Sequence, residues 1–263
     1  MTEVPTAKAP QRFLGDAIRP TLLFVAAYAL TITPHEASHA LCAYFLGFNS
    51  TLYQMWVDPD AAAATAHQLA GIASAGPLFS LTVGLICGLV YLRLYRTKRA
   101  GLLWLMMAMA GIYAFLGPVA GAAFGGDFHT AFRFLGISPV VQQVVSAVGV
   151  VLLAAFMFRF GQEIMRRAPA SYHRASAMIC TTVAPWLLGL PLIIAIYWPL
   201  PRVLILSTIT GSAFWLFAVV GAAFGALQPR LDHSIAPRGR DLLVLAVAVI
   251  MVRALAHGLR LAH

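Results

Sequence analysis

Charge is what this sequence has least of. Only 10% of its 263 residues are Asp, Glu, Lys or Arg, and only nine residues are acidic. A soluble domain carries about a quarter charged residues, so this composition excludes a protein bathed in water on all sides. Cysteine is scarce too. Cys42, Cys87 and Cys180 lie singly within apolar stretches, which excludes a disulfide framework or a cysteine-built metal cage and leaves them as small core residues. The chain also lacks an Arg-rich presequence, a signal-peptide cleavage pattern, an internal repeat and a low-complexity linker.

What is present in quantity is apolar sequence: 60% of the residues are hydrophobic, and the mean hydropathy is +0.82. A helix needs about 20 apolar residues to cross a bilayer core. Runs over 20–47, 67–92, 100–124, 138–158, 178–199, 203–227 and 241–258 predict an all-α, polytopic membrane protein of six or seven transmembrane helices. The first run is long and is expected to tilt or protrude. The last is interrupted by Arg253 and His257, so it either crosses or lies along the interface. Residues 1–19 read as a cytoplasmic N-terminal tail, and everything after them as one membrane domain.

The net charge of +9 points to membrane topology and not to nucleic acid. Basic residues cluster in short connections: Lys8, Arg12 and Arg19; Arg93, Arg96, Lys98 and Arg99; Arg159, Arg166, Arg167 and Arg174; Arg230, Arg238 and Arg240. All four clusters fall on one side of the predicted spans, the positive-inside pattern of a protein facing anionic lipid. The N-terminus is therefore expected in the cytoplasm of a cell whose inner membrane holds the protein, in a bacterium. The loop over 48–66 lacks Lys and Arg and falls on the far side. Its run Thr51-Leu52-Tyr53-Gln54-Met55-Trp56-Val57 is strand-like and fits a short hairpin or an ordinary connection.

Within the first span stands His35-Glu36-Ala37-Ser38-His39, an HExxH pattern. Residues four apart share one helix face, so both imidazoles can reach one metal ion. Glu36, about 100° around the helix, can approach a water on that metal as general base and later proton donor. An ionisable group in a span is costly and marks function by default. Catalytic zinc takes three protein ligands and keeps one position for water, so a third ligand is needed. Glu36 and Asp127 are the acidic residues that stand apart from the tails, the basic clusters and the polar loop. Asp127 follows the third span, at the depth expected for the end of the first. Asp127 is the favoured third ligand, with His129 as a competing ligand or a second hydrogen-bonding group. Pro118 and the glycines before Asp127 allow the backbone to leave helical geometry there. His67 reads as interfacial. The small residues around Gly76 in the second span suit close helix packing.

These residues resemble the three-helix core of the site-2 proteases, the intramembrane zinc metalloproteases. HEASH in the first span, Ala75-Gly76-Pro77 in the second and Asp127 after the third carry the resemblance, which covers 20–137. Residues 138–263 supply additional transmembrane helices. The likeness implies that His35, His39 and Asp127 bind zinc. It also implies that Glu36 activates water against a peptide bond of a locally unwound transmembrane protein substrate. The sequence departs from that pattern in three places: Phe115-Leu116-Gly117-Pro118 lacks the usual Asn, Phe128 follows the aspartate where Gly is usual, and Ser80 stands in place of Asn. Two further readings accompany it: a zinc-dependent membrane hydrolase acting on a lipid-linked or other non-protein substrate, and a non-catalytic membrane protein.

Overall fold

The computed structural model describes residues 10–98, 100–168, 172–227 and 239–263. The chain folds as a helical bundle: α1 Pro10–Phe45, α2 Ala66–Val90, α3 Gly101–Ala120, α4 Asp127–Phe134, α5 Pro139–Arg166, α6 Arg174–Met178, α7 Ala184–Ile196, α8 Arg202–Gly211, α9 Trp215–Gly225 and α10 Gly239–Ala254. A π-helical turn, Tyr91–Tyr95, extends α2, and another, Ile179–Val183, joins α6 to α7. Among the described residues, six helical segments are long and apolar enough to cross a membrane: Gly15–Phe45, Ala66–Tyr95, Gly101–Ala120, Pro139–Arg166, Arg174–Ile196 and Arg202–Gly225. The protein is an all-α, polytopic membrane protein.

Side-chain exposure fits that setting. Leu85, Ile86, Leu89 and Leu92 along α2, and Val140, Val144, Val148 and Val151 along α5, are all about half exposed or more. Large apolar residues in such continuous outward stripes suit lipid as solvent. Inside, Leu23, Val25, Met106, Leu153, Met157, Ile164 and Ile193 form the centre of one core.

α1 is the axis of the bundle. Its 36 residues span about 54 Å at 1.5 Å per residue, more than the hydrocarbon core of about 30 Å. The helix starts at Pro10, a residue that suits a first helical turn, so 10–19 are helical where a tail was expected. Residues 1–9 of that tail lie outside the described residues. Arg19 is buried, and its Nε donates to Asp241 Oδ2 of α10 at 2.9 Å.

At the other end of the bundle, β1 Asn49–Leu52 and β2 Val57–Asp60 form an antiparallel hairpin. Its turn occupies 53–56, closed by Tyr53 N donating to Trp56 O, so the centre of the strand-like run is the turn itself. A third strand, β3 Leu259–Leu261, pairs with β1 in the order β2-β1-β3. Apolar periodicity gave no sign of it, because three residues are too few for a period. The two attachments settle the course of α10. Asp241 stands beside Arg19 near the start of α1, and β3 stands beside Ser50, whose hydroxyl donates to Ala40 O. α10 therefore traverses the bundle alongside α1, although its 16 residues make it shorter than the six spans.

Glycine sets the closest contacts between helices. A Cβ on Gly84 of α2 would fall 2.6 Å from Ile112 N of α3, and one on Gly111 would fall 2.6 Å from the Gly84 Cα. α2 and α3 thus cross in backbone contact, the use membrane helices make of small residues.

Removing the carboxylate of Asp241 from the buried Arg19 guanidinium is expected to be severe. Asp241→Ala should cost about 3–5 kcal/mol, seen as a lowered thermal midpoint of the purified protein. The apolar pair R19L/D241L should recover most of that loss. A double variant no more stable than Asp241→Ala would show that this ion pair is not what joins α1 to α10.

Candidate metal centre

Three elements deliver the site. His35 and His39 project from α1, one turn apart, and are 5% and 7% exposed. Asp127 is the first residue of α4, with its side chain 31% exposed. His35 Nε2 lies 3.2 Å from Asp127 Oδ2 and 3.2 Å from His39 Nε2, and His39 Nε2 lies 3.8 Å from the same oxygen. His35, His39 and Asp127 form a group able to hold a metal ion among the described residues.

The outer nitrogens of both rings are committed elsewhere. His39 Nδ1 is 2.6 Å from the carbonyl oxygen of Ile72. A carbonyl only accepts, so that nitrogen carries the proton and Nε2 is left with its lone pair. His35 Nδ1 meets the Ser80 hydroxyl at 2.9 Å, and Ser80 is fully buried. Partners of this kind orient metal-binding imidazoles and fix their tautomers. With both outer nitrogens engaged, the two inner ones face each other and the carboxylate. A shared proton or a single cation is what holds such a triangle together.

α2 makes this possible with one face. Ile72, Gly76 and Ser80 follow one another at intervals of four, so they stack along one side of the helix. The first and last hold the two rings. Between them, a Cβ on Gly76 would lie 2.3 Å from His39 Nε2 and 2.6 Å from His35 Nε2. Only glycine leaves room there. From the sequence, Gly76 reads as a helix-packing residue within the Ala75-Gly76-Pro77 segment of the resemblance, and Ser80 as a departure from that pattern with no role beside the imidazoles. The signal that could have found both was the four-residue spacing along α2.

The aspartate is aimed by a glycine turn. α3 continues through Pro118 to Ala120, so Pro118 does not break it. The backbone departs at 121–126 instead, with Gly125 N donating to Gly121 O at 2.9 Å. Gly126 adopts φ +89°, a conformation that favours glycine, and so turns Asp127 back toward α1. His129 lies outside the triangle: its Nδ1 is 3.1 Å from Ala122 O, which ties the first turn of α4 back to the start of the glycine turn. Phe128 packs edge-on against Phe115, with ring centroids 5.7 Å apart. Glu36 is half-buried and follows His35 directly on α1. The three cysteines are thiols and not disulfides, and they lie outside the site, Cys87 and Cys180 being buried.

Gly76→Ala is expected to abolish binding of a divalent transition metal, measured by elemental analysis after dialysis. Gly71→Ala, on the same helix with nothing within 4 Å of the added carbon, should bind as the parent does. Equal metal content in Gly76→Ala would mean that the two Nε2 atoms are not ligands.

No protein-family model, curated protein or solved structure matches this chain. The likeness to site-2 proteases therefore rests on the motif residues themselves.

Proposed function

We propose that the chain is an intramembrane zinc metalloprotease of a bacterial inner membrane, with a cytoplasmic N-terminus, that cleaves a membrane-embedded peptide segment. The observation that carries this reading is the meeting of His35 Nε2, His39 Nε2 and Asp127 Oδ2 at separations of 3.2, 3.2 and 3.8 Å. Tetrahedral zinc, with bonds of about 2.0–2.1 Å, places neighbouring donors about 3.3 Å apart. Two neutral imidazoles and one carboxylate are a zinc donor set, and they leave a fourth position open. When bound, zinc supplies a Lewis acid that polarises a carbonyl and acidifies water.

The chain's own residues do the rest. Ile72 and Ser80 hold the rings in register. Glu36, next to His35 and half-buried, accepts a proton from the attacking water at its carboxylate and returns it to the departing amine nitrogen.

Peptide is favoured over lipid as substrate by the hairpin. Ala61, directly after β2, packs with Ala43 and Ile72, and the Ile72 carbonyl is the one that holds His39. β2 is an outer strand of the sheet. A transmembrane helix unwound for cleavage exposes backbone groups that lipid cannot satisfy, and an outer strand offers them partners.

Glu36→Gln should retain zinc in full while losing cleavage of a membrane-embedded reporter segment by at least a hundredfold, within the range of general-base removal. Asp127→Ala should lose both. Undiminished cleavage by Glu36→Gln would remove the proposed base and with it this mechanism.

A further inference from the structure

The half of the chain beyond residue 137 has no part in the site as described so far, yet one of its side chains reaches the HExxH segment. Thr33 lies two residues before His35. It is buried, and its hydroxyl stands 3.3 Å from the Tyr197 hydroxyl. That is unusual behaviour in this protein. Thr21, Thr82, Thr181, Thr182, Thr208 and Thr210 all donate back to the carbonyl four residues earlier in their own helix, at 2.7–2.9 Å. Such back-bonding is the ordinary course for helical threonine. Thr33 turns instead across the bundle.

The next residue explains why a link is useful there. Pro34 lies inside α1. It has no N–H to donate to the carbonyl of Leu30, and proline weakens a helix at that point. The metal ligands His35 and His39 follow immediately, so the direction of α1 beyond Pro34 decides where both imidazoles point. Tyr197 is itself held firmly. It is fully buried, its carbonyl accepts from the buried Gln54 Nε2, and the same amide reaches Pro199 O at 3.3 Å. Arg253 of α10 donates to the neighbouring Trp198 carbonyl, and Tyr28 stands edge-on to the Tyr197 ring, with centroids 6.1 Å apart. The connection between α7 and α8 is thus fastened to the hairpin, to α10 and to α1.

We infer that Tyr197 is a positioning residue, which acts through the Thr33 hydroxyl at the proline irregularity of α1 to aim His35 and His39 at Asp127. The inference rests on reading these three residues as a zinc site, and is independent of whether the substrate is a peptide. Tyr197→Phe retains the ring and its packing and removes only the hydroxyl. Thr33→Val removes the other partner, and Thr33→Ser retains it.

The test measures zinc affinity of the full-length protein in detergent by competition with a chelator. Tyr197→Phe and Thr33→Val should each weaken zinc binding by about tenfold, the scale of lost support behind metal ligands. T33V/Y197F should be no weaker than either single variant, since both remove one interaction. Thr33→Ser should bind within about twofold of the parent. Affinity unchanged in Tyr197→Phe, or losses that add in the double variant, would overturn the inference while leaving the proposed protease intact. A parent that binds zinc but cleaves no peptide would overturn the protease and leave the inference standing. A metal-free measurement accompanies these. Spin labels at Leu41 and Thr130, both exposed, should give a narrow distance distribution in the parent and a broader one in Tyr197→Phe; equal widths would count against the inference.

Discussion

Two imidazole nitrogens and a carboxylate oxygen, packed within 3.8 Å of one another inside a lipid-embedded bundle, set the terms for everything around them. Lone pairs repel at that distance, and a membrane interior supplies no water to separate them. The arrangement persists only where the surrounding helices fix each ring by its far side and leave the near side for positive charge. Here α2 performs both duties. It offers a carbonyl at Ile72, a hydroxyl at Ser80 and a bare backbone at Gly76 between them. A helix with any side chain at that middle position would push α1 away and dissolve the triangle.

The requirement spreads outward. For α2 to lie so close to α1, it must also be steady against α3, and the Gly84–Gly111 crossing provides that by bringing the two backbones together. α3 in turn leads through the glycine turn at 121–126 into Asp127. The helix that supports the histidines and the helix that delivers the aspartate are therefore packed directly on each other. The relative position of the donors thus begins with a short chain of backbone contacts, which side-chain hydroxyls then refine.

Much of this could be read from the residues alone. Apolar runs of bilayer length located the six spans, because lipid permits little besides helices and burial of charge is costly, although the run at 138–158 stopped eight residues short of Arg166. His35 and His39 were legible through their spacing, and Asp127 through the scarcity of acids at membrane depth. The parts that escaped share a different character. β3 is too short to carry a pattern. The helical state of 10–19 was obscured by polar residues and Pro20, and the buried partnership of Arg19 with Asp241 joins positions 222 apart. The same holds for Thr33 with Tyr197 and for Gln54 with the α7–α8 connection. These are long-range pairings between single side chains, and local periodicity contains no information about them. In the candidate site, the residue types that donate were visible, whereas the residues that orient them were not.

The pairing of β3 with β1 has a consequence for how the protein is made. Asn49 and His263, joined by a hydrogen bond at the rim of that sheet, are 214 positions apart. Helices enter a membrane in the order of synthesis, so the hairpin waits with a single neighbour while five later helical crossings are threaded. Only after α10 is inserted can the third strand dock and Arg253 reach the α7–α8 connection. Assembly of the wall beside the histidines is thus postponed until α10 and β3 are in place, and a chain inserted only as far as α9 lacks it.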